Sequence, residues 1–270
     1  MDLDAYFRRT GCHGPFRADI STLAALTLAH VKSIAFENLD PLLGRPVELD
    51  IPALERKLVR QNRGGYCFEH NTLLARVLCE LGYAVRGLAA RVVMNQPAGG
   101  TLPRTHMLLL VEVDGETMIT DTGFGGLTPT GPLRLETDVV QDTPHEPFRL
   151  IARDGAYRLD ARIGEIWTPL YEFDLQVQLE PDFVMMNHFT STYPGSHFRS
   201  MLTAARVTDS GRLGLRDNAL SIHTTGAASE RRVLGTGAEI RAALAGPFGI
   251  ALPDDPALDA LFDRLADGRA

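Results

Sequence analysis

The first place in this chain where chemistry could begin is a cysteine set just past a pair of glycines, in Arg63-Gly64-Gly65-Tyr66-Cys67-Phe68-Glu69-His70-Asn71. The glycines interrupt regular backbone, and Leu74, Val77, Leu78 and Leu81 then recur at helical spacing until Gly82 supplies a stop. This spacing predicts Cys67 in the first turn of a helix, where unpaired N–H groups and the macrodipole favour an anion. A thiol there is expected to have a depressed pKa and to serve as a nucleophile.

A nucleophile of this kind needs a base and a group that orients the base. Both candidates lie on one hairpin. His106 to Val113 meets Asp114-Gly115, and Glu116 to Asp121 returns. Asp-Gly between apolar runs signals a two-residue turn. That turn would pair Val113 with Glu116, set Asp121 across from Leu108, and set His106 across from Gly123. His106 and Asp121 then share a face as diagonal neighbours ~7–8 Å apart along the backbone, within side-chain reach. Gly123 is expected to keep a side chain away from the imidazole. His70, on the helix of Cys67, lacks an orienting acid and ranks below His106 as the base.

These residues require elements to hold them. Up to about Tyr83 the pattern is helical, with an apolar set at Leu23, Leu26, Leu28 and Val31 and a short amphipathic run, Ile51 to Val59, behind Asp50 as N-cap. Between these, Glu37 reads either as a solvated loop residue or as a partner for Arg63 beneath the cysteine turn. After Gly82 the period becomes that of strands. Tyr83 to Met94 is one, and Phe148–Arg153 and Ala156–Ile163 form a second hairpin about Asp154-Gly155. The middle third is therefore a small barrel or a curved antiparallel sheet. Leu202–Val207 and Leu213–Ile222 read as two strands, Ala238–Leu244 and Ala257–Leu265 as helices, and the stretch from Asn187 to Phe198 as a polar-aromatic loop. Thr122-Gly123-Phe124-Gly125-Gly126 is a glycine loop that allows close backbone approach to a ligand. Cys12 reads as a loop thiol and Cys79 as a buried helix residue.

Composition narrows the class. The chain has 270 residues, 44% hydrophobic and 23% charged, which suits a folded globular protein. A formal charge of −7 without basic blocks argues against nucleic acid as a partner. Three scattered cysteines provide neither a disulfide framework nor a zinc ribbon, and no metal is expected. The acidic N-terminus lacks a secretory signal and no apolar stretch is long enough for a membrane span, so a cytoplasmic location is expected, with no membrane partner.

With these residues in place the sequence resembles the arylamine N-acetyltransferases over nearly its whole length. The resemblance rests on Phe36-Glu37-Asn38-Leu39, on Arg63 to Glu69, on Thr105-His106 opening a strand, and on Asp121 followed by Gly123-Phe124-Gly125. Trp167 to Asp174, Thr190-Ser191-Thr192 and Ser196-His197-Phe198 extend it. It implies an α+β fold with a cysteine-protease or transglutaminase-like core: a helical domain (1–83) carrying the nucleophile, an antiparallel β-barrel (84–194) carrying His and Asp, and a strand-and-helix lid (195–270). It implies a Cys67–His106–Asp121 triad that moves an acetyl group from acetyl-CoA, as co-substrate, to an aromatic amine or hydrazine through an acetyl-cysteine. By the same resemblance Thr105, Phe124 and Gly125 border the CoA channel, and Phe36, Phe124 and Phe198 line the acceptor pocket. Ala35 and Thr122 depart from the family's usual proline and valine, and Thr122 would bring a polar group near the acyl-binding loop. The competing readings are a transglutaminase-like thiol hydrolase using the same three residues and an aromatic-binding protein with an inert thiol. The oligomeric state is not legible.

Overall fold

The computed structural model describes residues 1–97 and 100–268. The first part is helical, as its apolar spacing predicts. Helices α1 (Leu3–Thr10) and α2 (Ile20–Ser33) open behind Asp2 and Asp19, whose carboxylates accept from Ala5 N at 2.9 Å and Thr22 N at 2.8 Å. A two-residue strand, β1 (Phe36–Glu37), leads into the short α3 (Leu39–Leu42). The run behind Asp50 becomes α4 (Ile51–Leu54), capped by Asp50 at 3.0 Å from Ala53 N, and continues as one π-helical turn over Glu55–Arg60. Helix α5 (Cys67–Glu80) follows, and its first residue is the cysteine.

A seven-stranded antiparallel sheet comes next, ordered β5-β4-β3-β2-β8-β7-β6. Its strands are β2 (Ala84–Val92), β3 (His106–Val113), β4 (Glu116–Thr120), β5 (Leu133–Arg134), β6 (Phe148–Arg153), β7 (Ala156–Ile163) and β8 (Ile166–Gln178). Bridges from Thr137 to Leu150 and from Gln141 to Phe148 bring the chain after β5 against β6, so the sheet is a nearly closed barrel. Both Asp-Gly turns take the expected form, with positive φ at Asp114 (52°), Gly115 (77°), Asp154 (50°) and Gly155 (78°). Leu88, Leu108, Leu110, Phe148, Leu159 and Tyr171 fill the barrel. Met107, Leu109 and Val111, on the other face of β3, pack in the core that holds α5. Strand β3 is thus buried on both faces, which accounts for its continuous apolar run.

The chain then forms α6 (Glu180–Thr192), β9 (Thr203–Thr208), β10 (Gly211–Arg216), β11 (Ala219–Thr224), β12 (Glu230–Val233), α7 (Gly237–Ala245) and α8 (Pro256–Ala266). These strands make a second sheet, β1-β9-β10-β11-β12, in which the early strand β1 takes the edge beside β9. Leu202, Leu215, Leu220, Ile240, Leu244, Phe248 and Phe262 form the core between this sheet and the last helices.

Three expectations need correction. Leu213–Ile222 is two strands, because Asp217 at φ 52° turns the chain between them. Residues 187–192, read as loop, are the last turns of α6. Its outer residues Val184, Met185 and Phe189 are exposed, so it carries no amphipathic stripe to reveal it. Of the two spare thiols, Cys12 lies in a loop as expected and is buried there, whereas Cys79, read as buried, is exposed on α5.

Candidate active site

The cysteine turn is shaped by close approach. A Cβ on Gly64 would lie 2.1 Å from the Ala35 carbonyl oxygen, and one on Gly65 would lie 2.6 Å from Glu69 Oε2. With no side chain, Gly65 bridges β1 as an added strand: Glu37 N donates to Gly65 O at 2.8 Å and Gly65 N to Ala35 O at 3.3 Å. Beneath the turn, Arg63 Nε donates to Glu37 Oε1 at 2.9 Å, so Glu37 is the buried partner and not a solvated loop residue. The charges extend beyond this pair. Lys57 Nζ lies 2.6 Å from both Asp40 and Glu69, while Glu69 Oε2 accepts from Tyr66 N, the residue before the helix, at 3.0 Å. Burial pushes the Glu69 carboxyl up to about 7 against the pull of Lys57.

Cys67, His106 and Asp121 meet where α5 packs against β3. The β3–β4 ladder runs in the expected register, from Val113↔Glu116 to Leu109↔Thr120, and then stops. Asp121 leaves the strand toward His106, and its Oδ2 lies 2.7 Å from Nε2. The imidazole keeps Nδ1 free of Asp121, and Cys67 is the other group that acts on the ring. The thiol also approaches the Thr105 carbonyl, at 3.6 Å. All three side chains are almost wholly buried, with Cys67 3%, His106 2% and Asp121 1% exposed. Burial alone would lower the His106 pKa, but the Asp121 charge and hydrogen bond, followed by Cys67, raise it above its ordinary value. Asp121 is held low by the converse of the same contact, against its own burial.

Gly123 has a different role from the one expected. A Cβ there would come 2.5 Å from Cys67 Cα and 3.0 Å from Asn71 Nδ2, so the glycine makes room for the start of α5. Its N–H donates to Asp121 Oδ1 at 2.8 Å.

Asn71, one helical turn after Cys67, escaped the sequence reading. Its Nδ2 donates to Asp121 Oδ1 at 2.9 Å and to the Met107 carbonyl at 2.7 Å, and its Oδ1 accepts from Thr122 N at 3.0 Å. It therefore ties α5 to Asp121 and to the strand that carries His106. The sequence signal available was its position four residues on, on the same helix face as Cys67. Thr122 turns its hydroxyl to Asn71 Oδ1 at 3.3 Å, so the departure from valine is absorbed inside this network. Tyr171 was also missed as a neighbour of the histidine. Its ring lies 4.8 Å from that of His106, and its buried hydroxyl has no partner in hydrogen-bonding geometry among the described residues. Burial, and then the nearby Asp121 charge, keep it a neutral phenol.

Aromatic rings close the surroundings. Phe124 meets His106 edge-on at 5.2 Å, Phe36 lies 6.1 Å from Phe198, and the ring of Phe36 covers Gly125, whose φ is 85°. Phe124 thus touches His106 and Thr105 touches Cys67, while Phe36 contacts both Phe198 and Gly125. Among the described residues no group of three or more His, Cys, Asp or Glu side chains could hold a metal ion.

Comparison with known proteins identifies the family. The family model described as N-acetyltransferase matches residues 19–257. An arylamine N-acetyltransferase of Mycolicibacterium smegmatis is 45% identical over 258 residues, 94% of each chain. The solved arylamine N-acetyltransferase of Mycobacterium marinum superposes with a TM-score of 0.95 at 42% identity, covering 98% of this chain and 100% of that one. The same enzyme in complex with CoA gives 0.94 at 42% identity, over 98% of this chain and 99% of that one. The chain belongs to the arylamine N-acetyltransferase family.

Proposed function

We propose that Cys67 is the nucleophile, His106 the proton carrier and Asp121 its orienting acid in an acetyl transfer from acetyl-CoA to the nitrogen of an arylamine or arylhydrazine. The observation that carries this assignment is the 2.7 Å His106–Asp121 contact, buried beside a cysteine at a helix start. In the first half-reaction the Cys67 sulfur attacks the thioester carbonyl, the carbon–sulfur bond to CoA breaks, and CoA departs with a proton from His106. In the second, the amine nitrogen attacks the acetyl-cysteine, its proton passes to His106, and the Cys67 thiolate leaves. An aromatic amine is neutral near pH 7 and so arrives as a nucleophile, unlike an alkylammonium.

Family membership and the CoA complex of the M. marinum enzyme support acetyl-CoA as donor. We assign Thr105, Phe124 and Gly125 to the CoA side and Phe36, Phe124 and Phe198 to the acceptor side. The near-complete burial of Cys67 supports an enclosed pocket over the open groove that a peptide hydrolase needs. We retain the division at 1–83, 84–194 and 195–270 as a proposal, with the last segment covering the acceptor side. No helix among the described residues is long and apolar enough to cross a membrane, and the cytoplasm is our proposed location.

Mass spectrometry after incubation with acetyl-CoA alone tests the nucleophile. Wild type should gain one acetyl group and release CoA, and Cys67→Ala should gain none. Acetylation that survives in Cys67→Ala would refute the assignment.

A further inference from the structure

A chain of buried polar groups lies under the nucleophile's helix and takes no part in the proposed reaction. Tyr6 OH is 2.9 Å from His30 Nδ1, His30 Nε2 is 2.9 Å from His70 Nδ1, and His70 Nε2 is 3.0 Å from the Gly65 carbonyl and 3.2 Å from that of Ala35. Carbonyls only accept, so His70 Nε2 must carry a proton and its Nδ1 must accept one from His30 Nε2. His30 Nδ1 then accepts from the Tyr6 hydroxyl. One tautomer therefore satisfies the whole chain, and its three side chains are 0%, 0% and 1% exposed.

The two carbonyls at its end do not depend on it, since Ala35 O already accepts from Gly65 N and Gly65 O from Glu37 N. The imidazole adds a lateral tie between the two strands of that bridge. One strand carries Phe36 and the other runs into Cys67. The Phe36 ring also lies nearly parallel to that of His70, at 8° and 6.4 Å. Burying two imidazoles where apolar side chains would pack is costly unless the hydrogen bonds fix something.

We infer that His70, backed by His30 and Tyr6, is a positioning residue for the acceptor half-reaction, fixing the Phe36 wall relative to Cys67. This rests on the reading of Phe36 as part of the acceptor pocket. Attack by the amine depends on that wall, whereas attack of Cys67 on the acetyl thioester depends on His106 and the CoA side. The two half-reactions should therefore separate.

The test measures acetyl-cysteine formation from acetyl-CoA, and its decay with 4-methoxyaniline, by quenched mass spectrometry. His70→Asn keeps an acceptor near Nδ1 but loses the donor to the carbonyls, whereas His70→Gln keeps a donor near Nε2. In His70→Asn the acceptor KM should rise about tenfold, the factor one such hydrogen bond carries, while acylation stays within about twofold. His70→Gln, which keeps that donor but loses the acceptor for His30, should raise the acceptor KM only about threefold. Equal loss in both half-reactions, an unchanged acceptor KM, or a Gln variant as impaired as Asn would overturn the proposal. Phe36→Leu separates the two ideas. If it raises the acceptor KM while His70→Asn does not, the brace alone is wrong; if it leaves the KM unchanged, the pocket reading is wrong and the brace falls with it. Should His70→Asn fail to fold, Tyr6→Phe reads the same split, with an expected acceptor KM rise of about threefold. No rise there is equally decisive against the brace.

Discussion

Asp121 receives three donors: His106 on one oxygen, and Asn71 and the Gly123 amide on the other. Replacing it by Asn keeps the shape but removes the charge that offsets the burial of the imidazolium. Asp121→Asn is therefore expected to leave His106 neutral and to cost about 10³–10⁴ in kcat/KM, the scale of that change in other oriented-histidine sites. Activity assays check the loss, and imidazole NMR shifts across pH check the cause. Cys67, His106 and Asp121 were legible because local signals place them: a glycine-led helix start and a hairpin whose turn type fixes its register. Asn71 was not, since three of its partners come from residues far along the chain and nothing near it in sequence announces them. The spare thiols show the same limit. A helical position alone does not say which side of α5 Cys79 faces, and that side is solvent.

Helix α5 is held from both ends of its first turn, and two tests address that hold. Gly64→Ala drives a methyl into the Ala35 carbonyl, a backbone atom that cannot step aside. It should cost about 3 kcal/mol, whereas Gly126→Ala, which meets nothing within 4 Å, should be nearly neutral in urea unfolding. The second test concerns acid. Burial holds His30 well below its usual value, helped by His70 and Arg9. Burial likewise lowers His70 to about 4, with the Ala35 and Gly65 carbonyls and Glu37 opposing and Lys57 adding to the shift. Both folded pKa values lie under the unfolded one, so the unfolded chain binds more protons below about pH 6.5 and stability falls as pH drops toward 4. His106 has the opposite sign. Its stabilisation is complete below the unfolded value and is lost as pH rises through the raised one. Between pH 7.5 and 5 the His70 share is about 2 kcal/mol, and His70→Gln should flatten the acid limb of the unfolding free energy by that amount. The elements themselves were mostly legible from period and turn residues. Helix α6 was missed because its outer face stays apolar and exposed, which leaves no contrast between its sides.

Across the whole molecule, a helical part followed by a small barrel or curved antiparallel sheet was legible from a change of period at Gly82 and two Asp-Gly turns, and the family resemblance chose the barrel. What the linear pattern did not carry is the joining of distant segments. Two residues are too few to show a strand's alternation, so β1 was invisible, yet it pairs Phe36 with Ala205 and Glu37 with Ala204. The same short strand accepts Gly65 on its other side. Pairings of such long sequence separation form late, because loop closure must come before the contacts that reward it. Acetyl transfer should therefore return during refolding in the same phase as protection of the β1 and β9 amides, measured by pulsed hydrogen exchange, and recovery in an earlier phase would contradict this order. On the ribosome the consequence is one of timing. The cysteine, histidine and aspartate emerge well before residue 205, but β1 lacks its partner strand until β9 has been made. A nascent chain thus carries Cys67 through about half of its synthesis before the strand beside the cysteine turn gains that partner.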